Sequence, residues 1–263
     1  HAGDTFREVI DMWEEAGYCT VEPSPDNYVW AGQGPGDILL YDHPRIDDRE
    51  PPYGVPWKGI PEFNAGLFGN TVPKHEKIVP WIFWARRPKL LWERHNKGLP
   101  TYQNRHIESI FLGKVENQVQ AAGRVNHDWS DAIELFSMPV DNNGSMSGKW
   151  PFTQEEYLEK LAHSKFGLCL PGYGPKCNRE IEYMGLGVVP LVGPGVDLQY
   201  YNSWHEGTHY IRVDHPDHVL EKTQGISMQK WKAMSEQCVK WYTNNCSPRG
   251  SYETTVRIID RLP

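Results

Sequence analysis

The residues best suited to chemistry lie in one stretch, SKFGLCLPGYGPKCNREIEYMGLGVVPLV, residues 164–192. The turn Gly172-Tyr173-Gly174 contains two glycines, which let a backbone approach a ligand closely. A predicted helix follows, and its first N–H groups and the forked guanidinium of Arg179 suit phosphate oxygens. Glu182 lies one helical turn beyond Arg179, on the same face, where a carboxylate can accept both hydroxyls of a ribose. Together these residues predict a nucleotide-diphosphate site.

The same residues are also compatible with a purely structural role. Gly172 to Gly174 can form a surface turn, and Arg179 with Glu182 can form an exposed ion pair between residues i and i+3. The stretch has neither a GKS or GKT triplet nor a GxGxxG pattern, so it is neither a Walker A loop nor a dinucleotide fingerprint.

A second motif, His205-Glu206-Gly207-Thr208-His209, fits the H-E-x-x-H pattern of zinc peptidases. That chemistry requires a helix, because both imidazoles must reach one Zn²⁺ from the same face. Gly207 and the β-branched Thr208 disfavour a helix, and residues 209–213 alternate like a strand. We therefore predict a loop that leads into a strand, with the two histidines pointing in unrelated directions and no zinc.

Hydrophobic periodicity predicts an α/β protein. Strands are expected at 18–21, 37–42, 78–84, 107–112, 133–138, 165–170 and 188–192, and helices at 4–16, 115–122, 153–163, 178–185, 227–244 and 251–262. Residues 43–77 are predicted to be loop-rich and residues 85–104 irregular. The strand, loop, helix and strand from 165 to 192 favour a mostly parallel sheet with helices on both faces.

Composition narrows the class of protein. The net charge of −7 over 263 residues argues against a nucleic-acid partner, and no apolar run reaches the roughly 18 residues of a membrane span. The five cysteines are irregularly spaced without a CxxC, which fits free thiols in a reducing compartment. We expect a soluble, cytoplasmic protein, although an anchor or signal preceding His1 is compatible with the sequence.

The central stretch resembles the donor-binding segment of exostosin-type glycosyltransferases, whose pattern runs S-K-F-x-L-C-P-x-G … S-P-R-x-x-E-A-x-x-x-G-C-V-P-V. The matching residues are Ser164, Lys165, Phe166, Leu168, Cys169, Gly172, Arg179, Glu182, Gly187, Val189 and Pro190, and Phe111-Leu112-Gly113-Lys114 resembles the F-x-G-[RK] turn of that family. The resemblance covers roughly residues 107–200. Pro171 and Cys177-Asn178 depart from the pattern, and the chain is short for the family, similar in length to the chlorovirus β-xylosyltransferases.

The resemblance implies a GT-B-like fold, in which two small Rossmann-like domains with mostly parallel sheets enclose a cleft. We expect an acceptor-side domain at 1–103, a nucleotide-sugar donor domain at 104–226, and C-terminal helices at 227–263 that can pack back on the first domain. The implied activity is transfer of a sugar, with xylose from UDP-xylose as the best candidate, to an oligosaccharide or glycoprotein glycan. Such enzymes usually need neither a metal nor another cofactor.

The resemblance also assigns roles to residues. Arg179 would contact the diphosphate and Glu182 the ribose, with Lys114 as a second phosphate ligand and Arg124 as a weaker third. Lys114 is equally compatible with an exposed surface lysine. An inverting transfer needs a general base near the acceptor hydroxyl. Asp42, at the end of a predicted strand, is the first candidate and His43 the second.

Asp47, Asp48 and His75 are further candidates for the base, and Asp42 can alternatively begin the turn before Pro44. Two rival functions stay open. A metal-dependent GT-A transferase would need a D-x-D or D-x-H motif after an apolar strand, and no suitable one occurs. A non-catalytic carbohydrate-binding protein would use the 11 tryptophans and 13 tyrosines to stack sugar rings.

Overall fold

The structure, a computed structural model, describes most of the chain as an α/β protein with two parallel sheets. The described residues are 2–20, 38–41, 65–69, 78–115, 120–121, 124, 127–138, 151–172 and 174–262. Within them no helix combines the length and apolar character needed to cross a bilayer. The predicted fold class, α/β with mostly parallel strands, is confirmed.

Helices and strands alternate along the chain. The strands are β1 Ile38–Tyr41, β2 Ala65–Phe68, β3 Ile78–Pro80, β4 Ile107–Leu112, β5 Leu135–Ser137, β6 Ser164–Cys169, β7 Val189–Val192 and β8 Ile211–Arg212. The helices are α1 Ala2–Glu15, α2 Pro88–Asn96, α3 Gln154–Ala162, α4 Asn178–Gly185, α5 Asp217–Gln224, α6 Met228–Asn245 and α7 Pro248–Ile259.

The larger sheet has five strands in the order β5-β4-β6-β7-β8, and every neighbouring pair is parallel. The chain runs outward from β4 to β5, then returns to the other side of β4 to build β6, β7 and β8. The strand order therefore reverses between β4 and β6. In open parallel sheets, ligands bind beyond the carboxyl ends of the strands at such a reversal.

The smaller sheet consists of β1, β2 and β3, also parallel. Its core contains Leu67 and Trp81, both fully buried. The indole N–H of Trp81 donates to the Thr255 hydroxyl (2.9 Å), and that of Trp13 in α1 donates to the Ser251 hydroxyl (2.8 Å). The C-terminal helix α7 therefore packs against α1 and the segment that follows β3.

Several predicted elements agree closely with the structure. The helix at 178–185 and the strand at 107–112 have the predicted bounds. The predicted capping box is present at the start of α3, where Glu156 N–H donates to Thr153 Oγ1 (3.1 Å) and Thr153 N–H donates to the Glu156 carboxylate (2.8 Å). The β4 strand and the α4 helix are both almost entirely buried.

Other predictions were wrong. Residues 18–20 form no strand, and the strand expected at 78–84 ends at Pro80. Residues 43–77 contain β2 and residues 85–104 contain α2. Helix α2 carries mostly polar residues, and its buried side chains are Pro88 and Leu91, so hydrophobic periodicity is weak there.

The zinc-peptidase motif is not helical. Residues 207–209 form a turn, and β8 follows at Ile211. The ring centroids of His205 and His209 lie 5.8 Å apart, so the prediction that they point in unrelated directions was wrong. However, the His209 Nδ1 accepts a hydrogen bond from the backbone N–H of His205 (3.0 Å), and no metal-binding group of three His, Cys, Asp or Glu occurs in the described ranges.

Arg105 lies at the opposite, amino-terminal edge of the larger sheet and is 3% exposed. Its guanidinium donates to the carbonyl oxygens of Pro100, Ala162, Ser164 and Leu186, at 2.8 to 3.2 Å. Ala162 and Leu186 end α3 and α4, where the helix dipoles carry partial negative charge. This buried arginine is therefore compensated within the fold.

Gly167 sets how closely α4 approaches the sheet, because a Cβ there would lie 2.4 Å from the ring of Tyr183. We expect Gly167→Ala to lower the free energy of unfolding by about 1–3 kcal/mol, the usual cost of overpacking a core. Urea denaturation measures this. Gly225→Ala is the matched control, because a Cβ there meets atoms no closer than 3.6 Å. Equal effects of the two substitutions would contradict this packing.

Candidate functional site

The predicted site residues come together where the strand order reverses. Gly113 and Lys114 follow β4, Gly172 follows β6, and Arg179 is the second residue of α4. A Cβ at Gly113 would lie 2.8 Å from Arg179 Nη2, and one at Gly172 would lie 2.5 Å from Cys177 Sγ. Both glycines thus leave room for the protein's own side chains, and the close approach of a ligand stays a prediction.

Arg179 lies beneath this edge and is 7% exposed. Its Nε and Nη2 donate to the carbonyl oxygen of Leu112, the last residue of β4, at 3.1 and 2.8 Å. The guanidinium stacks 4.4 Å from the ring centroid of Phe111. Its Nη1 is buried without a partner in the described part of the chain. Arg179 therefore has donors to spare and is not the exposed ion-pair member of the structural alternative.

Arg124 is a second buried guanidinium at the same place, 4% exposed. It donates to the carbonyl oxygens of Pro171 (2.8 Å) and Lys114, and so joins the loop after β6 to the loop after β4. Its Nη2 lies 3.7 Å from Cys177 Sγ. Burial lowers the pKa of Arg124, which is the cost of keeping a charge away from water.

Lys176 is a third buried cation and was missed by the sequence analysis. It is 2% exposed, and its Nζ donates to the carbonyl oxygens of Gly69 (3.0 Å) and Gln199 (2.5 Å). The ammonium lies 4.5 Å from the ring centroid of Tyr200. Burial lowers the pKa of Lys176 to about 8. No sequence pattern distinguishes this lysine from a surface lysine.

Glu180 is the buried carboxyl group of the site and was also missed. It is fully buried; its Oε2 accepts from the N–H of Cys177 (2.5 Å), and its Oε1 has no partner among the described residues. Burial raises the pKa of Glu180 to about 8, against the opposing effect of Arg179. Burial therefore favours the protonated, uncharged form of this carboxyl group, which weakens it as a counter-charge for the neighbouring cations.

The backbone amides of the loop are partly engaged. The N–H of Gly172 donates to the carbonyl of Gly174 (3.0 Å), and the N–H of Cys177 donates to Glu180. The N–H groups of Asn178 and Arg179, the first two residues of α4, have no partner in the part of the chain that the structure describes. These two amides carry the partial positive charge of the helix N-terminus.

Glu182 is buried and directed toward the interior. Its Oε2 accepts from the hydroxyl of Tyr157 (2.6 Å), and its Oε1 accepts from the N–H of Arg86 (3.2 Å). Burial raises its pKa, and the Tyr157 hydrogen bond opposes that shift. A ribose could reach this carboxylate only if at least one of the two hydrogen bonds were rearranged. The predicted ribose contact is untested and stays a prediction.

The other predicted residues are Lys114, Tyr173 and the candidates for the general base. Lys114 is half-buried directly after β4. Tyr173, Asp42, His43, Asp47, Asp48 and His75 lie outside the described residues. A groove of about 960 Å³ lies elsewhere, bordered by residues such as Trp92, Trp241 and Arg249, and none of the predicted donor-binding residues lines it.

Within the described residues, the buried cations of the site have no close ion-pair partner. Among the described residues no carboxylate lies within 4.0 Å of Arg124, Arg179 or Lys176. Arg105, by contrast, has its charge offset by the carboxyl ends of two helices. At the amino end of α4 the helix dipole adds to the positive charge. Buried charges are normally paired, so this arrangement has the character of an anion site.

Comparison with known proteins assigns the chain to no family. No protein-family profile and no curated protein sequence matches the chain. The resemblance to exostosin-type glycosyltransferases therefore rests on the residues quoted above.

The state of Glu180 can be tested by the pH dependence of stability. Between its unfolded pKa of 4.5 and its folded pKa of about 8, the folded protein holds a proton that the unfolded chain has lost. The free energy of unfolding therefore falls as pH rises through this window, by up to about 4 kcal/mol. Denaturant titrations of wild type and Glu180→Gln should diverge accordingly. Parallel curves from pH 4.5 to 8 would contradict the assignment.

Proposed function

We propose that the protein is a glycosyltransferase of the GT-B type that moves a sugar from a nucleotide-diphosphate donor to a glycan hydroxyl. UDP-xylose is the favoured donor, on the resemblance alone. The observation that carries the proposal is the buried positive charge of Arg124 and Arg179 at the amino end of α4, beyond the carboxyl ends of β4 and β6. Neither guanidinium has an ion-pair partner among the described residues. A diphosphate is the natural anion to complete such a site.

The contacts of the α4 loop support a two-sided cleft. Lys176 donates to the carbonyl of Gly69, directly after β2, and the Asn178 side-chain amide donates to the carbonyl of Trp84 (2.7 Å), after β3. The carboxyl ends of strands in the smaller sheet thus lie next to the loop at the carboxyl end of β6. A donor in this loop would have the smaller sheet beside it, where a GT-B enzyme binds its acceptor.

The arrangement supports a metal-independent mechanism. As the bond between the sugar and the diphosphate breaks, negative charge develops on the leaving phosphate. The amides of Asn178 and Arg179, which have no partner among the described residues, and the guanidinium of Arg179 would stabilise that charge without reorganising. A base on the acceptor side would take the proton of the attacking hydroxyl. Asp42 and His43 directly follow β1 in the sequence and stay the candidates for an inverting transfer.

The direct test is a UDP-release screen over a panel of nucleotide sugars and glycan acceptors, each with and without EDTA. We expect release with at least one donor at a rate that EDTA leaves unchanged. Release that EDTA abolishes would favour the metal-dependent GT-A alternative. Glycan binding without any nucleotide binding would favour a carbohydrate-binding protein.

Removal of the Arg179 charge tests the anion site itself. We expect Arg179→Met to weaken UDP binding by about 10- to 100-fold, because it removes charge-assisted hydrogen bonds worth roughly 1.5–3 kcal/mol. Isothermal titration calorimetry measures this. Arg249→Met removes the same charge from an exposed site in α7, with 75% of the side chain accessible, and should leave the affinity unchanged. Equal affinities for wild type and Arg179→Met would rule out this role.

The predicted ribose contact of Glu182 can be separated from its internal role. If Glu182 binds the ribose, Glu182→Ala loses UDP affinity, whereas Tyr157→Phe, which removes only the internal hydrogen bond, keeps it. If the role is internal, both variants lose stability in denaturant titrations and bind UDP with nearly wild-type affinity once folded. Normal UDP affinity in folded Glu182→Ala would remove Glu182 from the donor site.

A further inference from the structure

We propose that Lys176 is a positioning residue that couples donor binding to the order of the smaller sheet's carboxyl edge. This inference rests on the proposed function, because it requires an anion at the amino end of α4. It adds a role that neither the family pattern nor the local sequence assigns. Lys176 lies two residues before Asn178, whose N–H belongs to the anion site.

The contacts of the ammonium come from three different segments. Gly69 directly follows β2, Gln199 lies in the loop after β7, and Lys176 itself belongs to the loop after β6. Both oxygen partners are backbone carbonyls. A single side chain therefore fixes the positions of two backbone segments relative to the donor loop.

Two neighbouring hydrogen bonds also hold together this junction, the place where the segments after β2, β3, β6 and β7 meet. The N–H of Asp197 donates to the carbonyl of Pro175 (2.9 Å), and the N–H of Tyr201 donates to the carbonyl of Trp81 (3.2 Å), just after β3. The loop after β7 therefore touches both the donor loop and the smaller sheet. Lys176 and Asp197 both lie where these segments meet, and the ammonium of Lys176 is buried there.

The charge of Lys176 makes the junction sensitive to a ligand. An ammonium with two carbonyls and an aromatic ring around it is costly to bury. The carboxyl groups of Asp197 and Glu180 offset that cost only in part, since the pKa of Lys176 stays below its usual value. A bound diphosphate supplies negative charge close to the same loop and stabilises the ammonium. By linkage, whatever stabilises the ammonium also favours the arrangement in which it holds Gly69 and Gln199. An uncharged structural side chain could not respond in this way.

The experiment combines calorimetry with hydrogen–deuterium exchange, using UDP as the probe, on wild type, Lys176→Met, Lys176→Arg and the control Lys232→Met. Lys232 is exposed on α6. In wild type we expect saturating UDP to slow exchange at 178–185 and also at 65–69 and 197–201. Lys176→Met should bind UDP up to about tenfold more weakly, because it removes the attraction between the buried ammonium and the diphosphate.

At saturating UDP, Lys176→Met should keep the protection of 178–185 and lose the ligand-induced protection of 65–69 and 197–201. Lys176→Arg, which keeps the charge and can donate to both carbonyls, should restore part of that protection, and Lys232→Met should behave as wild type. If Lys176→Met does not fold, loss of the ligand response in Lys176→Arg overturns the coupling. Ligand-induced protection of 65–69 in Lys176→Met also overturns it.

A purely structural role for Lys176 predicts a different pattern. Exchange at 65–69 and 197–201 would rise in Lys176→Met without ligand, and the response to UDP would be unchanged. That result overturns the coupling and leaves the proposed function intact. Failure of wild type to bind any of the nucleotides in the panel overturns the proposed function itself, and the coupling with it.

Discussion

The burial of positive charge at the amino end of α4 is the constraint on which the rest of the site depends. Arg124 and Arg179 are withdrawn from water, and their described partners are backbone carbonyls and a thiol. Removing ions from water costs several kcal/mol each unless other charges compensate. At Arg105 the carboxyl ends of two helices provide that compensation. At α4 the dipole has the opposite sign and adds to the positive charge, which is why we propose that an anionic ligand completes the site.

The larger sheet creates this situation through its topology. The strand order reverses between β4 and β6, so the loops after these strands diverge. Arg124 and Arg179 lie between the two loops, and Gly113 and Gly172 leave room for their side chains. Arg124 joins the two loops through the carbonyls of Lys114 and Pro171. The smaller sheet then approaches through Gly69, Trp84 and Arg86. The site is thus a product of both sheets.

Some of this could be predicted from the sequence. The bounds of β4 and α4 follow from local patterning, and Arg179 with Gly113 and Gly172 followed from the chemistry expected of a strand, loop and helix. Lys176 could not be found in this way, because its ammonium is buried by segments more than 20 residues distant, at Gly69 and Gln199. The same applies to Glu182, whose partners Tyr157 and Arg86 come from other elements. Helix α2 was missed because its buried face is narrow.

The most direct test is a crystal structure of the protein soaked with UDP or a UDP-sugar. The account predicts diphosphate density within hydrogen-bond distance of the N–H groups of Asn178 and Arg179, with the guanidinium of Arg179 contributing a further donor. Nucleotide bound at another place, or an N-terminus of α4 whose two amides are bonded to protein groups while the nucleotide is present, would contradict it.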